Sequence, residues 1–412
     1  MSELAHPRHH PVDGRWFDER FLDDPYPAYR FLRESGRIHW TDFYGGAWVV
    51  PRHDDVRDAL HDPNLSADRS GTPVKRFPAE IQAELSSFTR LFQLWLLFQD
   101  PPKHTRTRKL LNRSFTPRVL ASWRPRVQEI VDDLLDNMQG EQEIDFMDAF
   151  ARRLPAIVIA EMLGVQSDSH DDFIGWSADL ANFFGPPNPS VEVAGTAQTA
   201  LASMTDYFRA IIPQKRAHPE NDVITILVRA KDEQGALTEE EVLAQCTLFL
   251  FAGHETTQNL LGNGVVALLS HPAQLDKLMS DPSLVRTGVD ELLRFDSPIQ
   301  FINRTVKESA DLYGARLEPG DSVVLLLGSA NRDPERFSDP DELDIQRDEG
   351  QHLAFGFGPH FCLGAPLTYL EGEVAFPTMF RRLPRIRVQD GGLAWDHAKP
   401  HFRNLASLRV TL

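Results

Sequence analysis

The sequence has only two cysteines, Cys246 and Cys362, and they lie far apart in a chain of 412 residues. Two such residues cannot form a disulfide framework, so a reducing compartment is the better expectation, and we expect a cytoplasmic protein. Residues 1–21 mix charged and polar side chains without an apolar core, which excludes a secretory signal. We expect residues 1–20 to form a flexible N-terminus.

Long apolar runs and an excess of positive charge are also missing. The most apolar stretch, residues 242–253, is shorter than the roughly 18 residues that a membrane span needs. Lys and Arg number 43 against 60 Asp and Glu, which gives a net charge of −17. Because phosphate binding needs a positive field, this balance argues against nucleic acid and against an anionic membrane as partners.

No repeat, low-complexity block or Gly/Ser-rich linker divides the chain, so we expect one domain over residues 1–412. Apolar residues recur at three- and four-residue intervals, which predicts helices at residues 128–138, 150–163, 197–216 and 284–295. Strand-like runs are short, at residues 38–40, 47–50, 323–327 and 407–412. The expected fold class is mainly α, with a long central helix and small peripheral β-sheets.

The long helix begins at a capping box, in which Thr238 accepts a backbone N–H and Glu241 reaches back. Its pattern continues to Ser270, and about thirty residues at 1.5 Å each would span about 45 Å. Because apolar residues occupy much of its circumference, we expect this helix at the centre of the fold.

The middle of that helix is polar, since residues 252–259 read AGHETTQN. Gly253 weakens a helix, and threonine hydroxyls compete for the carbonyls one turn earlier. One interpretation is a locally opened helix that presents an acid and a hydroxyl to a buried reacting group; the other is a solvated polar face. A zinc site of the H-E-x-x-H kind fails, because its second histidine is replaced by Gln258.

Residues 355–364, which read FGFGPHFCLG, are the most informative segment. The glycines permit left-handed backbone and the close approach of a flat ligand, and a helix is predicted over residues 363–382. Cys362 would lie near the N-terminus of that helix, where free amides and the dipole favour a thiolate. Such a thiolate suits the axial position of a haem iron; the alternative is a reduced core cysteine, which is our interpretation of Cys246.

These residues match the haem-binding signature F-G-x-G-x-H-x-C-x-G throughout, so the chain resembles the cytochrome P450 superfamily, specifically its soluble bacterial class. Further segments are similar to its motifs D-P-P-x-H-x-x-x-R at residues 100–108, A-G-x-[DE]-T-T at 252–257, E-x-x-R at 291–294 and N-R-D-P-x-x-F-x-x-P at 331–340. The resemblance covers nearly the whole chain. It implies the cytochrome P450 fold and a haem-thiolate monooxygenase that inserts one atom of O₂ into a C–H bond or alkene.

The resemblance makes Cys362 the metal ligand of haem b. The other cofactor-binding residues that it implies are His104, Arg108, Arg304, Phe355, Gly356, His360 and Gly364. Without the motif, His104 and Arg108 would be read as an ordinary solvated helix face, because their neighbours are also basic.

The resemblance also implies the catalytic residues. Thr256 would hold dioxygen or a water molecule, and Glu255 would pass protons inward. Relatives that use peroxide often lack this pair, so its presence favours dioxygen with external electrons. Glu291 and Arg294 would form a buried structural pair, with a third charged partner among residues 332–347.

The substrate would lie on the other face of the haem, between residues 66–98, the loop at residues 183–189 and the long helix. The pocket residues implied by the resemblance are mostly apolar, which favours an apolar or amphipathic small molecule: Leu94, Trp95, Ala252, Pro298, Ile299 and Leu405.

No G-x-G-x-x-G fingerprint follows a strand, so we expect no flavin on this chain and electrons from a separate ferredoxin and ferredoxin reductase. Basic residues could dock an acidic ferredoxin despite the net negative charge, namely Arg106, Lys109 and Arg113. We expect the protein to be a monomer and to act in secondary metabolism. Two alternatives remain: the same haem fold performing oxidative coupling, desaturation or peroxygenase chemistry, and a non-catalytic haem sensor or carrier.

Overall fold

The computed structural model describes residues 19–42, 45–165, 169–186, 188–232 and 235–412, so residues 1–18 of the expected flexible N-terminus lie outside it. The described residues form sixteen α-helices. These are α1 Glu19–Asp23, α2 Tyr26–Ser35, α3 His53–His61, α4 Ala79–Glu84, α5 Ser86–Leu94, α6 Lys103–Leu111, α7 Pro117–Asp136, α8 Arg153–Leu163, α9 His170–Phe184, α10 Val191–Ala217, α11 Val223–Arg229, α12 Glu239–Ser270, α13 Pro272–Ser280, α14 Val285–Phe295, α15 Leu327–Ala330 and α16 Ala365–Arg382.

The described strands are short and lie around the helices. They are β1 His39–Thr41, β2 Ala47–Val50, β3 Leu65–Ser66, β4 Glu143–Asp145, β5 Lys231–Asp232, β6 Gly235–Ala236, β7 Ile302–Val306, β8 Ala310–Leu312, β9 Ala315–Leu317, β10 Ser322–Leu325, β11 Arg387–Trp395 and β12 Leu405–Thr411. One sheet has the order β1-β2-β10-β7-β3, in which only β2 and β10 run parallel, and a second has the order β11-β12-β4.

The mainly α class and each predicted helix are confirmed, with small shifts at the ends. The largest difference is at α7, which begins at Pro117, well before residue 128. Pro117 occupies the first turn, where no N–H is needed, but Pro125 lies inside the helix and obscures its periodicity in the sequence. The predicted strand at residues 323–327 ends early, because α15 begins at Leu327.

The long helix is α12, and its predicted capping box is present. The Glu241 N–H donates to the Thr238 hydroxyl, and the Thr238 N–H donates to the Glu241 carboxylate. It packs against α5, α8, α9, α10, α14 and α16 and is therefore central. Within the described part of the chain, none of the helices combines the length and the apolar composition that crossing a membrane requires.

The opened helix that the sequence suggested is not found, since α12 stays α-helical through residues 252–257. Gly253 serves close packing instead, because a Cβ there would lie 2.9 Å from a side-chain carbon of Ile159 on α8. Gly264 does the same against α16, where a Cβ would lie 2.5 Å from the ring of Phe376. Small residues let the neighbouring helices approach α12 at both points.

We expect Gly264→Ala to destabilise the protein. The added methyl would displace the buried Phe376 ring, at a cost of about 1–3 kcal/mol, partly offset by up to about 1 kcal/mol of helix propensity. The measurement is the thermal unfolding midpoint of the haem-loaded protein. The matched control is Gly195→Ala on α10, where no atom lies within 4 Å of the new Cβ, so a gain of about 0.4–1 kcal/mol is expected. Equal effects in both variants would contradict the packing argument.

Candidate active site

The loop before α16 closes around the Cys362 sulfur. Gly356 and Gly358 both have a φ of 70°, a left-handed conformation that favours glycine at these positions. The Cys362 N–H donates to the Phe355 carbonyl at 2.9 Å, which ties the two ends of the loop together. The amides of Gly364 and the following residue donate to the sulfur. Cys362 is half-buried, as are Phe355, Gly356 and Gly364.

Two opposing influences act on the Cys362 thiol. Burial raises its pKa, while the amide donors and the nearby Arg108 guanidinium lower it, and the balance is a raised pKa. The loop therefore supplies donors for a thiolate, as the sequence predicted, but its apolar surroundings oppose a free one. Coordination to a metal removes the thiol proton without leaving an isolated buried charge, so metal ligation suits this environment.

Helix α6 packs against the same loop through His104 and Arg108. The ring centroids of His104 and His360 lie 4.0 Å apart, and Arg108 donates to the Phe361 carbonyl at 2.7 Å. Burial and the neighbouring cations lower the pKa of His104 to about 4 and that of His360 to about 2. Burial also lowers the pKa of Arg304, on β7, to about 10. These groups are thus held together in a place that penalises their charged forms.

This cluster fits a ligand that carries carboxylates, as the implied haem does. Neither ring nitrogen of His104 has a hydrogen-bond partner within the described part of the chain. None of the ion pairs formed by described residues involves His104, Arg108, Arg304 or His360. A buried cation is stable when paired, so bound carboxylates would supply what the cluster needs. The residues present therefore fit a haem whose iron meets the Cys362 sulfur.

Sequence reasoning missed Arg69, which faces the same region. Its guanidinium lowers the pKa of His360 and contributes to the pKa of about 3 at His401, after burial. It also lies 5.1 Å from the ring centroid of Phe98. The only available signal was its place within residues 66–98, which the sequence analysis assigned to a pocket wall.

The middle of α12 has an accessible side. Ala252 is exposed and Thr256 is half-buried on a helix that is otherwise almost wholly buried. The Thr256 hydroxyl donates to the Ala252 carbonyl at 3.0 Å, as expected of a threonine in a helix. Glu255 is only 2% exposed and accepts from Gln258 Nε2 at 3.2 Å, so a solvated polar face is not what the structure contains.

Helix α16, which follows Cys362, crosses α12 next to this region. The hydroxyls of Thr257 and Thr368 lie 3.5 Å apart. The buried Glu371 lies one turn further along α16, and burial raises its pKa well above the ordinary value. The cysteine loop and the acid–hydroxyl pair of α12 therefore belong to one site, and Glu371 is an acid in that site which the sequence analysis missed.

The predicted pocket residues do not all lie on one wall. Leu94 and Ile299 are half-buried and Ala252 is exposed, whereas Pro298 is buried. The other two predicted pocket residues, Trp95 and Leu405, lie within the core. The loop at residues 183–189 is described except for Pro187, which lies outside the described residues.

Trp95 and Leu405 have no exposed surface. The Trp95 indole N–H donates to Thr247 at 3.0 Å, and its ring stacks on Phe251 at 5.5 Å. Leu405 packs near Gly262, where a Cβ would lie 3.3 Å from it, well along α12 from Ala252. Their apolar character has a core role in this structure, because each fills a closely packed gap.

Glu291 and Arg294 form a buried bidentate ion pair on α14, with N–O distances of 2.6 and 2.8 Å. Arg347 donates to the same Glu291 carboxylate at 3.2 Å and is thus the third charged partner. Arg294 also donates to the carbonyls of Asn331 and Pro340, both at 2.8 Å. The pair therefore anchors the chain between β10 and the cysteine loop and makes no contact with the reacting side.

The three basic residues predicted to dock a partner lie in α6 and just after it. Arg106 lies 3.7 Å from the Glu241 carboxylate and is only partly exposed. Lys109 is exposed on α6, whose Arg108 contacts the cysteine loop, and Arg113 is exposed in the turn that follows α6. Two of the three residues thus lie on an accessible surface.

We expect Glu291→Ala to destabilise the protein by about 3–5 kcal/mol, because it leaves the buried Arg294 guanidinium without a carboxylate and removes one of the two carboxylate partners of Arg347. Glu291→Gln, which keeps the shape and one acceptor, should be milder and provides a foldable variant. Urea unfolding of the haem-loaded protein measures both. The control is Asp206→Ala, which removes an exposed ion pair with Arg209 and should cost less than about 1 kcal/mol. A loss at Glu291 as small as the control would argue against a structural pair.

Comparisons with known proteins agree with the family resemblance of the sequence motifs. The sequence model of the family described as cytochrome P450 matches residues 83–389. The cytochrome P450 monooxygenase PikC of Streptomyces venezuelae is 40% identical over 400 residues, which cover 95% of this chain and 91% of PikC. The vitamin D(3) 25-hydroxylase of Pseudonocardia autotrophica is 38% identical over 378 residues, which cover 91% of this chain and 90% of that enzyme.

A solved structure with a similar fold is P450BioI in complex with hexadec-9Z-enoic acid ligated acyl carrier protein. It superposes with a TM-score of 0.88 at 34% sequence identity and covers 95% of this chain and 99% of that chain. The range matched by the family model includes both Thr256 and Cys362.

Proposed function

The chain belongs to the cytochrome P450 family of haem-dependent monooxygenases, and on that premise we propose that it holds haem b with the Cys362 sulfur as axial ligand. The observation that carries this proposal is the group of two arginines and two histidines, held away from solvent beside a cysteine whose sulfur receives amide donors. His104, Arg108, Arg304 and His360 would bind the carboxylates of the haem. Bound carboxylates would compensate the burial that lowers the pKa of each of these groups.

The remaining cofactor-binding residues shape the cysteine side of the haem. Phe355 accepts the Cys362 N–H through its carbonyl and covers the loop with its ring, which lies 6.1 Å from that of Phe361. Gly356, with its left-handed backbone, and Gly364, which supplies an amide to the sulfur, would let a flat ligand approach closely.

We propose that Thr256 and Glu255 are the catalytic residues on the other side. When bound, the haem supplies the reductive activation of dioxygen. The Thr256 hydroxyl donates its hydrogen bond to its own helix, so its oxygen remains available to accept a hydrogen bond from a donor such as water. Glu255, buried next to it, would supply the protons that oxygen cleavage consumes.

We further propose that the substrate is an apolar or amphipathic small molecule and that the enzyme inserts one oxygen atom into one of its C–H bonds or alkenes. Ala252, Leu94 and Ile299 present apolar surface, and an aromatic group behind Leu94 closes the region: Phe92, Trp95, Phe98, Phe184 and Phe251. Two similar proteins agree with apolar substrates: a vitamin D(3) 25-hydroxylase, and P450BioI solved in complex with hexadec-9Z-enoic acid ligated acyl carrier protein.

Cytochromes of this family receive electrons from redox partners. We propose a ferredoxin and its reductase, with no flavin on this chain, because exposed Lys109, on the helix that contacts the cysteine loop, and exposed Arg113, just after that helix, would attract an acidic carrier. A cytoplasmic location suits two free cysteines, one of which must stay a thiolate. We also propose that the chain acts as a monomeric single domain, since Arg403 near the C-terminus donates to the Leu22 carbonyl near the N-terminus.

We expect Cys362→Ser to abolish the red-shifted Soret band that the ferrous carbonyl complex of a haem thiolate shows, because an alcohol replaces the sulfur. Visible spectra of the purified, haem-loaded protein measure this directly. Cys246→Ala is the matched control, since Cys246 is fully buried in the α12 core and should leave the band unchanged. A normal band in Cys362→Ser, or its loss in Cys246→Ala, would overturn the ligand assignment.

We expect Thr256→Ala to release peroxide in place of product, because the hydroxyl that holds water beside Glu255 is lost. The measurement is the ratio of peroxide to NADH consumed with a ferredoxin and reductase pair, using a substrate selected by its spin-state shift. Thr256→Ser, which keeps the hydroxyl, should retain most of the coupling. Unchanged coupling in Thr256→Ala would count against this role.

Monooxygenation itself is tested by isotope labelling. With ¹⁸O₂, one labelled atom should appear in the product and the other in water. A product without the label would instead indicate desaturation, coupling or peroxide use. The absence of any NADH-dependent product with every substrate that shifts the spin state would indicate a non-catalytic haem protein.

A further inference from the structure

A row of polar side chains runs along one side of α12, in a helix that is otherwise apolar. It consists of Glu255, Gln258, Asn259 and Asn263, spaced three, four and eight residues from the first, so that they lie on one side of the helix. Each is at most 3% exposed. Burial of this many polar groups is costly unless they are hydrogen-bonded, so the row calls for an explanation.

The start of β12 and the two residues before it lie along this row. Gln258 Nε2 donates to Glu255 Oε2 at 3.2 Å and to Asn404 Oδ1 at 3.5 Å. Asn263 Nδ2 donates to the Arg403 carbonyl at 3.0 Å. The amides of the row thus connect the acid of α12 to the β11–β12 hairpin.

The connection continues to the protein surface through Asn404. Its Nδ2 donates to Asp396 Oδ2 at 3.1 Å, and its carbonyl accepts the Asp396 N–H at 2.8 Å. The Asp396 side chain is 21% exposed and lies 3.5 Å from Lys399. Asp396 and Asn404 line a surface pocket together with Trp395 and Arg403. A path of polar groups therefore leads from solvent to Glu255.

Several polar atoms of the row have no hydrogen-bond partner within the described part of the chain. They are Gln258 Oε1, both side-chain polar atoms of Asn259, and Asn263 Oδ1. Buried atoms of this kind are commonly satisfied by ordered water, which needs two to four polar partners. The four atoms lie within two turns of the same helix side, which is where a chain of water molecules would find such partners.

We infer that this row is the proton uptake route of the site, leading from Asp396 at the surface through ordered water to Glu255. The inference rests on the proposed role of Glu255 as the proton source. Gln258 and Asn404 are positioning residues: their N–H groups hold the carboxylates of Glu255 and Asp396, and their neighbours hold the water.

The proton balance is simple. In each delivery Glu255 gives one proton to the site and regains one from the adjoining water, and the Asp396 end takes one proton from solvent. Only O–H bonds are broken and formed, and no electron moves along the row. The amides do not carry the proton themselves, because a neutral amide neither gains nor loses one readily.

The kinetic test uses the haem-loaded protein with a ferredoxin, its reductase and hexadec-9Z-enoic acid as the probe. NADH oxidation is measured in H₂O and in D₂O for Asp396→Asn and Asn404→Leu. Both should slow oxidation by roughly tenfold to a hundredfold, less than the loss of a general acid itself, and both should raise the solvent isotope effect. The matched control is Asp390→Asn, an exposed acid on the same hairpin, which should behave as the parent protein.

Glu255→Gln separates failure of the route from failure of the proposed function. If Glu255→Gln slows oxidation while Asp396→Asn and Asn404→Leu match the parent, the route is overturned and the role of Glu255 stands. If Glu255→Gln has no effect, both are overturned. If Asn404→Leu lowers the unfolding midpoint and slows oxidation with an unchanged isotope effect, the amide only supports the hairpin and the route is again overturned.

A crystal structure of the haem-loaded protein gives a readout that is independent of activity. Ordered water should lie within hydrogen-bond distance of Gln258 Oε1, Asn259 and Asn263 Oδ1, in a chain that reaches the pocket at Asp396. In Asn404→Leu this chain should be interrupted. A dry row in the parent protein, with its polar atoms paired to one another, would overturn the inference.

Discussion

Buried positive charge beside the cysteine loop is the constraint on which the rest of the site depends. His104, Arg108, Arg304 and His360 come from α6, β7 and the loop itself, and burial lowers the pKa of each. Such a group would normally lie in solvent, because burying two guanidinium groups costs their desolvation and the repulsion between them, and burial keeps the two imidazoles uncharged. A bound ligand that brings negative charge beside Cys362 would offset this cost, as proposed for the haem carboxylates. The contact of Arg108 with the cysteine loop also places α6, and with it the exposed Lys109.

The central helix meets two demands that conflict. Close packing of α8 and α16 requires glycine at residues 253 and 264, each of which weakens a helix. The proposed chemistry requires an acid and a hydroxyl in the same middle turns, where burial of an acid is costly. The helix nevertheless stays continuous, because its length gives it many neighbours and because Thr256 bonds back to the Ala252 carbonyl without breaking the backbone ladder.

Much of this could be predicted from the sequence, for reasons that can be stated residue by residue. The ends of α12 carry local signals, a capping box at Thr238 and a His-Pro pair after Ser270, and the cysteine loop carries a dense motif. Non-local packing carried no such signal. Trp95 and Leu405 are apolar, as pocket residues commonly are, but in the structure they lie in the core. Trp95 donates to Thr247, and Leu405 packs where Gly262 has no side chain. Arg69 and Glu371 could not be placed, because their relation to the site exists only after folding has brought distant segments together.

The two functions of α12 lie on neighbouring sides of the helix, and this separation has a physical use. Ala252 and Thr256, four residues apart, face the accessible region, whereas Glu255 and Gln258 face the hairpin. An apolar substrate has to exclude water from the reacting atoms, yet the reaction consumes protons that water must bring. A site with one opening would have to let water past the substrate. Because Glu255 lies at the boundary between the two sides, the proposed route would bring protons to Thr256 from the hairpin side, without passing the apolar surface at Ala252.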